Sequence, residues 1–152
     1  MNRFRLMCIF VFLMGVIVFG ASFVCLQNEP VQPSPELTAQ SGRPYVPEEL
    51  GWSELDAERF TFSICGVFDP EDSAVDAWLY NPDTNDVLLV LRVYAGGEEI
   101  GETGFLKPGE YVQSVELTSE PEVGTDVQYQ VVAYEPDTYY SAGRVELNTV
   151  VS

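Results

Sequence analysis

From Phe60 to the C-terminus, apolar and polar residues alternate with a period of two. In the run FTFSICGVF, Phe60, Phe62, Ile64 and Phe68 share one side. An apolar face opposite a mixed face is typical of a half-buried β-strand. The same alternation recurs along the chain and predicts about seven strands, which are 60–68, 74–80, 87–94, 98–105, 110–117, 126–135 and 143–151.

One of these runs breaks the alternation. In EYVQSVEL, residues 110–117, Val112 and Val115 have opposite parity. An extra residue in one strand of a pair exchanges the faces beyond it. This run therefore predicts a bulge, or an inward-facing Tyr111 in place of one valine.

Prolines and a glycine pair separate the predicted strands. Proline lacks the N–H that a central strand donates, so a proline between two apolar runs indicates a turn. The turns are marked by Pro70, Pro82, Pro108, Gly96-Gly97, Pro121 and Pro136. No convincing helical period follows residue 60. The pattern therefore predicts an all-β, antiparallel, immunoglobulin-like sandwich, with a small barrel as the alternative.

The segment NPDTND, residues 81–86, lies between two strongly apolar runs and predicts a connection between core strands. Pro82 restricts φ, and the side chains of Asp83, Asn85 and Asp86 can satisfy local backbone groups. If the two flanking strands pair directly, the length of this turn decides whether Trp78 faces inward or outward. If they belong to different sheets, it decides nothing.

The N-terminus predicts a membrane segment. Arg3 and Arg5 precede an uncharged run of 21 residues, 6–26, which as a helix spans roughly 31 Å, the thickness of a bilayer core. Its length favours an uncleaved signal anchor over a secretory signal peptide, although the small residues at 20–22 leave cleavage, and hence secretion, open. The positive flank predicts a single-pass protein of the cell membrane with its C-terminal domain outside.

Residues 27–47 contain five of the ten prolines and predict an extended, Pro-rich linker. The domain boundaries predicted from the sequence are therefore 1–26 for the anchor, 27–47 for the linker and 48–152 for the extracellular sandwich. At the start of that domain, Ser53 and Asp56 offer a cap for a single helical turn. Trp52 is expected to pack against the domain.

Charge and composition exclude several functions. Seven Lys and Arg face 24 Asp and Glu, a net charge of −17, which repels nucleic-acid phosphates. There is no His, the commonest general base and zinc ligand. Cys65 is the only cysteine outside the apolar segment, and without a His partner it is expected to be inert. The sequence predicts no catalytic residue, no cofactor and no nucleic-acid partner.

A resemblance points the same way. The motifs are NPDTN before a strand, GGEEIGETGFLKPGEYVQSVEL, and YQVVAYEPDT before a closing strand. They resemble small uncharacterised extracellular proteins of Gram-positive bacteria over residues 75–150. The shared pattern is an Asn-Pro turn with a second Asn and a Pro-Gly turn, here Asn81, Pro82, Asn85, Pro108 and Gly109. The resemblance implies a surface β-sandwich module without a recognised catalytic site.

Two sets of side chains are candidates for binding. The aromatic residues Trp78, Tyr80, Tyr94 and Tyr134 have the parity opposite to their aliphatic neighbours, and aromatic rings on the wet face of a sheet can anchor a protein or stack on sugars. Two oxygen-rich turns contain Asp69 and Asp72, and Asp83 and Asp86. They are weak calcium candidates, because neither turn has EF-hand spacing.

The sequence therefore predicts a non-catalytic surface-interaction or envelope module, tethered to the membrane through residues 6–26. Its partner is an extracellular protein or glycan. The alternative is a carbohydrate-binding module that uses the aromatic face.

Overall fold

The computed structural model describes residues 33–152, so the predicted membrane segment lies outside the described residues. Within that range no helix is long and apolar enough to span a bilayer. The chain forms ten strands and one 3-10 turn, Glu48–Leu50. The strands are β1 (Gln40–Ser41), β2 (Trp52–Asp56), β3 (Thr61–Cys65), β4 (Pro70–Glu71), β5 (Ala74–Asn81), β6 (Leu88–Ala95), β7 (Glu98–Glu102), β8 (Glu110–Glu116), β9 (Asp126–Tyr134) and β10 (Ser141–Val150).

The strands form two antiparallel sheets, an all-β arrangement consistent with a β-sandwich. Sheet 1 has the order β1-β8-β5-β3-β2, with β4 paired to part of β5, and sheet 2 has the order β10-β9-β6-β7. Strands β5 and β6, which flank NPDTND, are in different sheets. The length of that connection therefore does not decide which way Trp78 faces.

The core contains the apolar sides that the alternation predicts. Burying these side chains removes apolar surface from water, which is the main favourable term in folding. One buried cluster contains side chains from both sheets. Sheet 1 contributes Phe62, Ile64, Val75, Ala77, Leu79, Val112 and Val115, and sheet 2 contributes Leu89, Leu91, Val93, Ile100, Val127, Tyr129, Val131 and Ala133.

All seven predicted strands have a counterpart, and the three further strands are sheet edges. The helical turn predicted at Ser53 and Asp56 is wrong, because these residues are in β2, where Ser53 pairs with Ile64 and Asp56 with Thr61. The hydrogen-bonded pairing of β2 with β3 outweighs the local tendency of Ser53 and Asp56 to cap a helical turn. Glycine sets one of the tight turns. Gly96 and Gly97 both have positive φ and close the two-residue β6–β7 hairpin, as a type I′ turn requires.

The NPDTND connection is held by two asparagine side chains. Asn81 is fully buried, and its Nδ2 donates to the backbone oxygens of Val87 at 2.9 Å and Leu106 at 3.0 Å. The Nδ2 of Asn85 donates to Asn81 Oδ1 at 2.7 Å and to Thr61 O at 2.6 Å. Asn85 therefore joins the connection to β3, and the two side chains tie together segments from both sheets.

The last part of the predicted linker packs on the sandwich. Strand β1 pairs with β8, and Pro35 bridges to Phe105. The carboxylate of Glu36 accepts hydrogen bonds from Gly104 N at 2.7 Å and Thr38 N at 2.9 Å. Burial opposes ionisation of Glu36, but these bonds and one from the Thr38 hydroxyl outweigh it and lower its pKa. Residues 33–41 thus belong to the same unit as the sheets.

Candidate functional site

A β-bulge places Trp78 on the outer side of sheet 1. Between the pairs Asp76–Ser114 and Leu79–Val112, β5 has one residue more than β8. The irregularity predicted from the parity of Val112 and Val115 is therefore present, but the extra residue is on β5. Trp78 has a φ of +47°. A non-glycine residue in this left-handed region costs about 1–3 kcal/mol and persists only where its surroundings hold it.

Four rings gather around this bulge, and we call them the aromatic cluster: Trp52, Trp78, Tyr80 and Tyr111. Trp78 stacks on Tyr111, with ring centroids 6.0 Å apart and planes inclined by 14°. Trp52 and Tyr80 are 6.5 Å apart. Tyr80 and Tyr111 are register partners on β5 and β8. The cluster therefore unites side chains from β2, β5 and β8 on the outer face of sheet 1.

Polar contacts connect the aromatic cluster to neighbouring segments of the chain. The indole Nε1 of Trp52 donates to the backbone oxygen of Trp78 at 2.9 Å. The guanidinium carbon of Arg43 is 5.2 Å from the centre of the Trp52 ring, within the range of a cation–π contact. The hydroxyl of Tyr111 donates to Gln40 at 2.8 Å. These contacts link the cluster to the connection between β1 and β2, which are opposite edges of sheet 1.

One polar atom of the cluster has no partner. The Nε1 of Trp78 is buried and makes no hydrogen bond to any residue that the structure describes. Buried donors are nearly always satisfied, and an exception in a native structure calls for an explanation. Trp78 therefore combines a costly backbone conformation with an unsatisfied donor, although its ring is half-buried.

The four aromatic residues predicted for binding are not together. Trp78 and Tyr80 lie on the outer face of sheet 1, where Tyr80 is only 7% exposed. Tyr94 and Tyr134 belong to β6 and β9 of sheet 2. Tyr134 packs against an outer apolar cluster of Leu88, Val90 and Phe105.

Sequence reasoning did not identify Trp52 and Tyr111 as site residues. Two signals pointed to them: the broken alternation around Tyr111, and a tryptophan immediately before the first predicted strand.

The outer face of sheet 2 has a shallow open groove of about 630 Å³. Tyr94, Gln128 and Asn148 form a row across three strands, since Tyr94 pairs with Gln128 and Gln128 with Asn148. Gln130 lines the groove from the next row, where it pairs with Arg92 and Glu146. Arg92 is itself bound to Glu102 at 2.9 Å. The groove thus combines one aromatic ring with side-chain amides.

Cys65 has the properties of an inert thiol. It is fully buried, and burial, followed by the negative charge of Asp76, raises its pKa to about 12. Thiolate is the reactive form of cysteine. The pKa of Tyr129 is also raised, first by burial and then by the charges of Cys65 and Asp76. Neither group is poised to act as a nucleophile or a base.

These shifts predict a loss of stability in alkali. Above the ordinary thiol pKa of 9.0, the unfolded chain loses the Cys65 proton while the folded chain keeps it up to about 12. The free energy of unfolding should therefore fall as pH rises through this interval. Urea unfolding at successive pH values should show a shallower fall for Cys65→Ala and for Tyr129→Phe than for the wild type. Equal slopes for all three proteins would contradict the prediction.

The calcium candidates lie in exposed turns. Asp69, Asp72, Asp83 and Asp86 are all exposed, and Asp72 forms part of the β4–β5 turn with a φ of +52°. Within residues 33–152, no three or more Asp, Glu, Cys or His side chains converge where a metal could bind.

The domain surface is strongly acidic. Residues 33–152 contain 23 acidic and five basic side chains, a net charge of −18. Arg59 pairs with Glu135 at 2.9 Å and Arg144 with Glu146 at 3.5 Å. Exposed pairs of this kind contribute little, about 0–1 kcal/mol each. Most of the acidic charge is therefore left unneutralised.

Salt should consequently stabilise the domain. Counter-ions screen the repulsion between like charges that destabilises the compact state, so the melting temperature should rise with sodium chloride concentration. Calcium chloride at equal ionic strength should raise it by a comparable amount. A melting temperature independent of salt would contradict the argument from charge. A much larger effect of calcium would show that the acidic turns bind it.

Comparison of the sequence with protein-family models gives no match, and no curated protein is significantly similar to it.

Proposed function

We propose that this protein is a membrane-tethered, extracellular binding module of immunoglobulin-like fold, which contacts a partner protein through the aromatic cluster and performs no catalysis. The uncharged run at 6–26 behind Arg3 and Arg5 supports the tether and its orientation. The resemblance of residues 75–150 to surface proteins of Gram-positive bacteria supports the location.

The order of the strands supports the immunoglobulin-like assignment. Of the seven strands predicted from the sequence, the first, second and fifth correspond to β3, β5 and β8. These three strands are adjacent in sheet 1. The third, sixth and seventh correspond to β6, β9 and β10, which are adjacent in sheet 2. The fourth corresponds to β7 and pairs with β6. Immunoglobulin-like sandwiches also place their first, second and fifth strands (A, B and E) opposite the third, sixth and seventh (C, F and G), although in the seven-strand constant type the fourth strand joins the first sheet.

The conformation of Trp78 is the observation that carries the proposal. A tryptophan with a φ of +47° and an unsatisfied indole N–H lowers stability. A residue that costs stability is commonly kept for function, and strained residues concentrate at binding sites. Tryptophan and tyrosine are also the residues most enriched among the energetic anchors of protein interfaces. An apolar or aromatic segment of a partner protein fits such a surface.

The raised pKa of the buried Cys65 thiol and the absence of His from the sequence support the proposal that the protein performs no catalysis. The net charge of −17 weighs against nucleic acid as a partner. A second candidate function, carbohydrate binding, is favoured by a different surface, the amide-lined groove on sheet 2.

Cross-linking on intact cells tests the binding function. Cells producing the full chain are treated with a membrane-impermeant cross-linker, and adducts are compared for the wild type, Tyr111→Ala and Gln113→Ala. Gln113 is an exposed residue of the same strand outside the aromatic cluster and serves as the matched control. A partner adduct that Gln113→Ala keeps and Tyr111→Ala loses is the expected result. An adduct unaffected by Tyr111→Ala would place the contact elsewhere.

Protease added to intact cells tests the topology. It should remove the domain and leave a small membrane-bound stub. A C-terminus protected from the protease would contradict the proposed orientation. Protein found only in the medium, without its N-terminal segment, would show that the segment is cleaved.

A further inference from the structure

We propose that the groove on the outer face of sheet 2 is a second binding site, specific for uncharged carbohydrate. Its biological meaning depends on the extracellular location proposed above, but its chemistry does not depend on the aromatic cluster, which is on the other sheet. The groove has a volume of about 630 Å³, and its central lining residues are Tyr94, Gln128, Gln130 and Asn148.

The strand register builds this surface. Tyr94, Gln128 and Asn148 are consecutive register partners across β6, β9 and β10, so their side chains are spaced by about 4.8 Å from strand to strand. The Gly96–Gly97 turn lies at one end of the groove, and a Cβ at either position would meet no atom within 4 Å. The groove is therefore uncrowded at the end where this turn lies.

The side chains match the chemistry of sugars. A hydroxyl group both donates and accepts hydrogen bonds, and a side-chain amide does the same. In the free protein Gln128 donates to Asn148 and Gln130 donates to Glu146, each at 3.3 Å. These bonds are long for N–H···O contacts, so exchanging them for bonds to a ligand costs little. The half-buried ring of Tyr94 provides an apolar surface against which a sugar ring can pack.

Charge restricts the ligand class. No Lys or Arg is among the described residues that line the groove, and Asp126 adds a carboxylate at its edge. The nearby Arg92 is neutralised by Glu102 at 2.9 Å. Sulfated, phosphorylated or uronic-acid polymers would meet repulsion in such a groove. A neutral glycan avoids this charge repulsion and can still form hydrogen bonds with every side-chain amide of the groove.

A glycan array tests the inference. The full-length protein is applied in a detergent without a sugar headgroup to immobilised neutral glucans, mannans, galactans and xylans, with hyaluronate and poly-lysine as charged probes. We expect at least one neutral glycan to bind and hyaluronate not to bind, while poly-lysine, which a domain of net charge −18 attracts, measures the non-specific electrostatic background. Tyr94→Ala and the double variant Gln128→Ala/Asn148→Ala should each weaken that binding about tenfold or more. Gln113→Ala, which removes an exposed amide from sheet 1, should leave it unchanged.

Several results would overturn the inference. These are the absence of binding to any neutral glycan, and binding that survives both groove variants while their melting temperatures stay near that of the wild type. Binding to poly-lysine alone would identify a general acidic surface. Loss of glycan binding in Trp78→Gly but not in Tyr94→Ala would assign the sugar to the aromatic cluster. Failure of the cross-linking experiment on Tyr111 leaves each of these readouts unaffected.

Discussion

Replacing Asn81 with alanine should lower the free energy of unfolding by about 3 kcal/mol. The substitution removes the donor to Val87 O and Leu106 O and leaves Asn85 Nδ2 without its bond to Asn81 Oδ1. A buried polar group without a partner costs about 1–3 kcal/mol. Leu106 O keeps a second bond from Leu89 N at 3.0 Å, which limits the total. Urea denaturation measures the difference.

Two further variants sharpen this prediction. Asn81→Asp has nearly the same shape but replaces the donating amide by a carboxylate that faces two carbonyl oxygens, so at neutral pH it should be worse than alanine. Asn148→Ala removes an exposed asparagine from β10 and should change stability by less than about 0.5 kcal/mol. A loss below about 1 kcal/mol for Asn81→Ala would mean that water replaces the lost bonds.

Replacing Gly104 with alanine should detach residues 33–41 from the sandwich. A Cβ on Gly104 would lie 2.4 Å from the backbone nitrogen of Glu36 and 2.6 Å from the carbonyl carbon of Pro35. Neither is the end of a flexible side chain, so the whole segment must move. The move breaks the bonds from Glu36 N to Phe105 O at 3.0 Å and from Phe105 N to Ser34 O at 2.8 Å. The expected loss is about 3 kcal/mol.

Hydrogen exchange locates this effect. The backbone N–H groups of residues 34 and 36–41 should lose protection in Gly104→Ala, while those of β6 and β9 keep theirs. Gly66→Ala is the matched control, because a Cβ there would lie 3.7 Å from its nearest neighbour, Gly51 O, and φ is not positive at that glycine. Unchanged protection of residues 33–41 in Gly104→Ala would show that the segment tolerates the methyl group.

The sequence predicted the parts of the fold that depend on local alternation. The seven strands, their buried faces and the turns at Gly96-Gly97 and Pro108 all follow from side-chain period and backbone preference. Strands β1 and β4 have only two residues each, too few for a period to be detected. Strand β2 forms because it pairs with β3, and the local sequence of β2 does not indicate that partner.

The candidate site was less predictable because it depends on register. Parity placed Trp78 and Tyr94 on outer faces but could not state that these faces belong to different sheets. Trp52, Tyr80 and Tyr111 meet only because β2, β5 and β8 lie in one sheet with a bulge at Trp78. The role of Asn81 was hidden for a similar reason. Its partners Val87 and Leu106 are brought to it by the connection between the sheets.

The most direct test of the proposed binding function is a comparison of Trp78→Gly and Trp78→Ala in both stability and cross-linking. Glycine adopts a φ of +47° without strain, whereas alanine does not, so the glycine variant should be the more stable by about 1 kcal/mol. Both variants keep the backbone oxygen that accepts from Trp52. The proposal predicts that both lose the partner adduct on intact cells although Trp78→Gly stays folded. A folded Trp78→Gly variant that keeps the adduct would contradict it.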